Sequence, residues 1–312
     1  AGHGAARGGV ITADPARFLA FARGCAPDFG PATARAAFLV APEGFARAEE
    51  SAQDNRYMAA AAAFDPAAAL AEHRALHRVL AAELPVFAFP GDPATPDAVF
   101  PNNVFASAPG RLVVGRMRRP VRRREAARAD IRGFFRDVLG CREVDLSGQP
   151  HPCELTGSLV IDRARGLGFC GLSERCDAEG ARLMHAAFGL RATLLFDLAP
   201  GEYHANVVLA VLAGRAVLVS PSGFADPAVA EAIAALYAPH AVRLAPAQQA
   251  AFAANAIALS AHRAWMSRAA ADSLRPAQHR ALAAAGFEVA AVPLAAIEAG
   301  GGSLRCCVAE IY

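Results

Sequence analysis

The chain has 312 residues, 54% of them hydrophobic but only 7% aromatic, and a formal net charge of +2. That length allows one large domain or two modest ones with a sizeable core, and the near-neutral balance gives no electrostatic pull towards nucleic acid or a membrane surface. All 31 basic residues are arginine, which excludes Schiff-base chemistry on a lysine.

No apolar run approaches the ~20 residues of a membrane-spanning helix. The opening "AGHGAARGGV" lacks the charged-then-apolar layout of a signal peptide. A soluble, cytoplasmic protein is therefore the expectation. Residues 1–35, rich in Ala, Gly and Pro, read as an N-terminal extension with one short helix in "ADPARFLAFARG". Residues 36–312 read as a single domain without repeats, long linkers or low-complexity blocks.

"RAAFLVAPEGF" opens that domain as a strand, and 65–83 follow as an amphipathic helix capped by Asp65 and Pro66. "PVFAFP" is a short strand, and "NNVFASAPGRLVVGR" is a hairpin turning at Pro109–Gly110. A helix at about 124–139, the strand "REVDLS", a hairpin over 157–173 and a helix over 177–189 come next. The strands "RATLLFDL", "NVVLAVLAGRAVLVSP", "AVRLAP", "AIALSAHRAWMS" and "FEVAAVPL" continue the chain, with helices near 226–238 and 272–285. "LRCCVAEIY" reads as the last strand. Hairpins alternating with single helices indicate an α/β protein with mixed sheets built from β-β-α-β units.

The seven cysteines, Cys25, Cys141, Cys153, Cys170, Cys176, Cys306 and Cys307, are too scattered for a secreted disulfide framework. Cys306 and Cys307 stand apart because they follow "GGGSLR", where glycines permit close backbone approach. In a strand the two would face opposite sides, so at most one meets a pocket. "EYHANVV" sets His204 and Asn206 at a strand mouth, where an imidazole of reference pKa about 6.5 can transfer protons. "CELTGS" sets Glu154 ahead of a turn, and "TPDAVFPNN" offers Asp97, Asn102 and Asn103, whose amides carry donors and acceptors together. Each residue alone has a plain structural reading: a small buried thiol, a rim histidine, a turn acid, turn asparagines.

His73 and His77 are four apart but enclose no "HExxH" glutamate and read as an exposed helix face. Cys170 and Cys176 have no second pair to make a zinc site. "RMRRPVRRREAAR" lacks the aromatic platform of a nucleic-acid surface and reads as a solvated loop or anion clamp.

Taken together, Asn103, Glu154, His204 and a C-terminal Cys306 behind glycines resemble the pentein superfamily. It includes arginine deiminases, dimethylarginine hydrolases and amidinotransferases, with a ribosome-associated initiation factor as a binding member. Within it "TPDAVFPNN", "TGSLVIDR", "YHANVV", "FAANAIAL", "MSRAAADSL" and "GGGSLRC" are similar to the citrulline utilization hydrolase (CtlX) type, often labelled amidinotransferase-like, from about residue 36 to the C-terminus. The resemblance implies a single-domain five-bladed α/β propeller. It implies Cys306 as nucleophile, His204 as general acid and base, Glu154 as the acid that holds substrate nitrogen and supports the histidine, and Asn103 where deiminases carry aspartate. Asn102, Asp97 and Asn206 are the further substrate-binding candidates, with Arg122 and Arg123 for the α-carboxylate. Departures are Val104 in place of tryptophan, "ELTGS" in place of "EGTGS", Ala41–Pro42 in place of Arg–Pro, and the segment Arg56 to Met58.

The implied chemistry needs no metal or organic cofactor. His204, as imidazolium, pairs with the Cys306 thiolate; the thiolate attacks a trigonal carbon and a water later releases the adduct. An amide at 103 suits the neutral ureido group of citrulline, giving ornithine, ammonia and carbon dioxide. Arginine deimination, dimethylarginine hydrolysis and amidino transfer are the enzymatic alternatives, and a pentein-fold binding protein is the non-enzymatic one. The expected partner is a small amino acid, not nucleic acid or membrane, and a homo-oligomer stays open.

Overall fold

The computed structural model describes residues 9–61 and 63–312. Phe105–Ala108 and Arg111–Val114 pair antiparallel around Gly110, whose φ of +72° is a left-handed conformation open to glycine without steric penalty. Arg142–Asp145 then returns parallel to Arg111–Val114. The same order of hairpin, crossover and parallel strand recurs in Leu159–Asp162, Leu167–Leu172 and Ala192–Asp197. It recurs again in Leu209–Leu212, Ala216–Val219 and Ala241–Arg243, and in Ile257–Ala258, Arg263–Ser267 and Glu288–Val292. The fifth sheet joins segments far apart in sequence. Ala309–Ile311 runs antiparallel to Ala36–Val40, with Ala309 opposite Phe38, and Val86–Phe89 lies parallel on the other side.

Asp–Pro pairs start two of the crossover helices. Asp65 accepts from the Ala68 amide at the head of Pro66–Ala81, and Asp226 from the Ala228 amide at the head of Pro227–Leu236. The side chain satisfies a free N–H, and proline has none to satisfy. On Pro66–Ala81 the buried stripe is Ala69, His73, Leu76 and Leu80, spacings that fall on one helix face. His73 therefore faces the core, not solvent as the sequence reading held, and burial with the neighbouring His77 pushes its pKa down to about 4.

Among the described residues, five of the six apolar clusters are each shared by two consecutive sheets. Phe169 and Leu194 meet Leu209 and Val217; Leu212 and Leu218 meet Ala264 and Met266; Ile257 and Trp265 meet Leu39 and Val308. Phe38 and Ile311 meet Phe105 and Val114, and Ala106 and Val113 meet Leu159 and Cys170. The fifth contact closes the series on the first sheet, so the sheets pack in a ring.

Within the expected N-terminal extension, residues 10–22 pack onto the rest of the chain, and the short helix expected there is Pro15–Ala22. Val10–Thr12 adds a parallel edge strand to Ala192–Asp197, and Pro15–Ala22 buries Phe18 and Ala22 in the core; residues 1–8 lie outside the described residues. The helix expected at 124–139 is broken into Pro120–Arg123, Arg124–Ala127, Ala129–Gly133 and Phe134–Val138. Arg123 and Arg132 bond the carbonyls of Met117, Arg118 and Ala126, satisfying acceptors that irregular backbone would otherwise leave open. The segment around Cys306 is one helical turn, Leu304–Cys307, and the strand begins only at Ala309. Among the described residues no helix is long and apolar enough to cross a membrane.

Candidate active site

A single turn of helix precedes the first strand of four sheets: Pro101–Asn103 before Phe105, Leu155–Ser158 before Leu159, Ala205–Val207 before Leu209, and Leu304–Cys307 before Ala309. The turn at 251–254 stands in the same place before Ile257. Asn103, Thr156, Asn206, Asn255 and Cys306 thus occupy equivalent positions, two or three residues ahead of a strand. The ring brings their ends together.

Cys306 is 2% exposed. Its sulfur accepts from Asn255 Nδ2 at 3.3 Å and lies 3.6 Å from Asn206 Nδ2. Asn206 Nδ2 also donates to the Thr156 carbonyl, and Asn255 Nδ2 to the Asn206 carbonyl, so both amides are fixed. Burial pushes the Cys306 thiol up, and these bonds pull it back only in part. Cys306 and Cys307 belong to the same apolar cluster, in which Cys307 is fully buried.

His204 donates through Nε2 to Glu154 Oε2 at 2.6 Å. Glu154 also accepts from Arg175 Nη1 at 3.3 Å and from the Arg118 amide at 3.0 Å. Burial pushes this carboxyl up, but Arg175 and His204 outweigh it and hold Glu154 ionised, well below the usual carboxylate range. An ionised Glu154 keeps the proton on Nε2, which leaves Nδ1, buried and without a partner, as the acceptor. Burial lowers the His204 pKa, partly opposed by Glu154. The resting imidazole is therefore neutral, not the imidazolium that the sequence reading paired with Cys306.

Gly157 lets these groups meet: a β-carbon there would lie 2.6 Å from Asn103 Oδ1 and 2.8 Å from His204 Nδ1. Leu155, where the resembled family has glycine, takes φ +31°. That region disfavours a bulky side chain, and full burial among Cys153, Leu159 and Met184 holds it there.

Cys306, His204, Asn103 and Asp97 line one cavity of about 290 Å3, together with Arg122 and Arg175. Asp97 accepts from Ser51 Oγ at 2.6 Å through Oδ2, while its Oδ1 is buried without a partner. Glu154 stands behind His204, and Asn206 flanks the sulfur. Asn102 does not line the cavity; its carbonyl accepts from Thr156 Oγ1. Arg122 pairs with Glu125 and donates to the Asp97 and Phe100 carbonyls through Nη2, whereas Arg123 turns away to the Met117 and Arg118 carbonyls. A larger cavity of about 530 Å3 lies beyond Thr156 and Asn206 and reaches neither Cys306 nor His204. Among the described residues no group of three or more side chains is placed to hold a metal ion.

Sequence reasoning did not single out Asn255, Arg175 or the segment 51–55 as site residues, and named Arg56 to Met58 only as a departure from the resembled family. Asn255 had a signal, since "FAANAIAL" repeats the placement of "HANVVL", an asparagine just ahead of an apolar strand. Arg175 had none. It reaches Glu154 only because its Nε and Nη2 grip Asp54 at 2.8 Å each, on a segment 121 residues away.

Residues 41–312 match the family model described as N,N dimethylarginine dimethylhydrolase, eukaryotic. The N(G),N(G)-dimethylarginine dimethylaminohydrolase of Mycobacterium tuberculosis is 30% identical over 219 residues, covering 70% of this chain and 67% of that protein. The N-terminal domain of ArgZ, a cyanobacterial arginine dihydrolase of the ornithine–ammonia cycle solved with substrate, superposes with a TM-score of 0.76 at 18% identity, covering 88% of this chain and 97% of that one. A dimethylarginine dimethylaminohydrolase solved as an adduct with S-methyl-L-thiocitrulline gives a TM-score of 0.67 at 19% identity, covering 89% and 99%. The two structures share the α/β fold. The chain belongs to the N,N-dimethylarginine dimethylhydrolase family, and it is a hydrolase of the pentein superfamily.

Proposed function

We propose that this enzyme removes an amine from the guanidino end of an arginine derivative, a methylated arginine first among them, with Cys306 as nucleophile and His204 as general acid and base. In this reading the five sheets are the blades of a five-bladed propeller with the site on its axis. The observation that carries the substrate class is an unsatisfied acceptor in the cavity: the Asp97 Oδ1 is buried without a partner, while neutral amides are the sulfur's side-chain partners. A guanidinium N–H would satisfy that oxygen. Its positive charge would also draw down the Cys306 thiol that burial holds up.

With substrate bound, Cys306 gives its proton to His204 Nδ1 and the thiolate forms a bond to the guanidino carbon. The departing nitrogen takes a proton from His204 Nδ1 as its C–N bond breaks, which leaves a planar thiouronium on the sulfur. Nδ1 then takes a proton from water as its oxygen attacks the same carbon. The C–S bond breaks, the ureido product leaves and the thiol is regenerated. Arg122, with Nη1 unused by the protein bonds above, and Arg175 are the cavity's cations for an α-carboxylate.

A second reading, hydrolysis of citrulline, rests on Asn103. Its Oδ1 is buried against Gly157, which leaves Nδ2 as the donor for a ureido oxygen, in keeping with the resemblance to the citrulline utilization hydrolase type. Steady-state turnover of N,N-dimethylarginine, arginine and citrulline, with amine and ureido products measured, separates the two. A kcat/KM for a guanidino substrate at least about tenfold above that for citrulline supports the first reading, since one charged contact is worth that much. The reverse order favours the second, and a folded protein that turns over none of them overturns both.

A further inference from the structure

Next to the active site lies a cavity that the chemistry above does not use. It has an empty volume of about 390 Å3, and Arg116, Arg123 and Arg132 stand around Gly115, Ala126 and Ala127. Each guanidinium is fixed from behind by a backbone carbonyl. Arg116 Nη1 donates to Ser147 at 2.8 Å, Arg123 donates to Met117 and Arg118 at 3.0 and 2.9 Å, and Arg132 Nε to Ala126 at 2.7 Å. Glu143 and Asp145 neutralise Arg132 alone; among the described residues neither Arg116 nor Arg123 has a carboxylate partner. The Arg116 Nε is buried without any hydrogen bond. Burial and repulsion from Arg116 and Arg118 push the Arg123 pKa down, as positive charge in excess requires.

We propose that this cavity binds a phosphate-type oxyanion, free or carried on a small metabolite. Arg116 Nη2, Arg123 Nη1 and Arg132 Nη2 take no part in the bonds just described, so three guanidiniums each keep a terminal donor. A tetrahedral oxyanion presents three oxygens to three such donors, and arginine forks match its geometry. Backbone carbonyls hold the forks in advance, so little side-chain entropy is lost on binding. The site is also adjacent to the catalytic machinery: Arg116 pairs through both backbone groups with Cys153, the residue before Glu154, and the Arg118 amide donates to Glu154 itself.

The test is calorimetric titration of the whole protein with inorganic phosphate and, separately, with glycerol 3-phosphate, ionic strength being held constant with sodium chloride. Saturable binding is expected, weakened at least about tenfold by Arg116→Gln and by Arg123→Gln and unchanged by Cys306→Ser. Tighter binding of inorganic phosphate assigns the free ion, and tighter binding of glycerol 3-phosphate assigns a metabolite. Thermal melts identify any variant that does not fold, and the other arginine variant then carries the test. Absence of saturable binding of either probe below about 10 mM, or binding that survives the folded arginine variants undiminished, overturns the proposal.

Discussion

Around the Cys306 sulfur the polar neighbours are the side-chain amides of Asn206 and Asn255, and its thiol is pushed up by burial. Around the His204 imidazole the neighbours are ions: Glu154 at 2.6 Å, with Arg175 behind it and Asp54 behind that. The two ends of one cavity therefore solve different problems. The amides solvate a thiolate once it forms but do not supply the positive charge that would form it in advance. The ionic chain fixes the imidazole's tautomer and aims its free nitrogen, while burial keeps it neutral. Under the proposed function neither end is activated at rest, and the missing element is charge brought by the substrate.

The sharpest way to break this contrast is to alter each end separately. Cys306→Ser is expected to lower kcat by about 10^4-fold or more, because an alcohol whose hydrogen-bond partners are neutral amides is a far weaker nucleophile than a thiol. His204→Asn is expected to lower kcat by about 10^2- to 10^4-fold and to flatten the pH profile, since proton delivery to the leaving group is lost in one half-reaction and water activation in the other. Parallel kcat and pH profiles for the His204 variant and the unaltered enzyme would remove the division of labour. Asn255→Ala takes one donor from the sulfur and is expected to cost about 10- to 100-fold in kcat, on the scale of a lost oxyanion donor. A loss confined to KM would make Asn255 a packing residue.

The resting state can be read directly. Thiolate absorbance, taken as the difference between the unaltered protein and Cys306→Ser, is expected to appear only above pH ~8.5, the ordinary range of a free thiol, because burial raises the native value. A midpoint below neutrality would mean that a preformed thiolate–imidazolium pair exists after all, and the contrast between the two ends would fail.

Much of the architecture was legible because it rests on local chemistry. Asp65–Pro66 and Asp226–Pro227 announce helix starts, and Pro109–Gly110 announces a turn. The one-turn helices at the strand mouths were not legible. A segment such as Leu304–Cys307 is too short to show a helical period, and its β-branched continuation pulls the reading towards strand. The same shortness hid the repeated placement of Asn103, Thr156, Asn206, Asn255 and Cys306. The residues that the sequence did single out, Cys306, His204, Glu154 and Asn103, carry chemistry by type. Arg175 and Ser51 act by where the fold puts them: Arg175 crosses to Asp54, and Ser51 crosses to Asp97. No local pattern encodes either crossing. The N-terminal strand was missed for a related reason, since Val10–Thr12 is three residues long and becomes a strand only against Ala192–Leu194.

The smallest effect is expected one residue from the largest. Strand geometry would turn Cys306 and Cys307 to opposite faces. The helical turn separates them by about 100°; both belong to the apolar cluster with Leu304, Val308 and Ile297, but only the Cys306 sulfur meets the Asn206 and Asn255 amides. Cys307 is fully buried and does not line the cavity. Cys307→Ser is therefore expected to keep kcat/KM within about threefold while lowering stability by about 1–3 kcal/mol, the desolvation penalty of a hydroxyl without a partner. Denaturant unfolding and steady-state kinetics on the same preparation check both halves. If Cys307→Ser instead loses activity as severely as Cys306→Ser with its stability intact, the nucleophile has been assigned to the wrong side of the turn. The amide-lined end of the cavity would then be a packing feature rather than the sulfur's working environment.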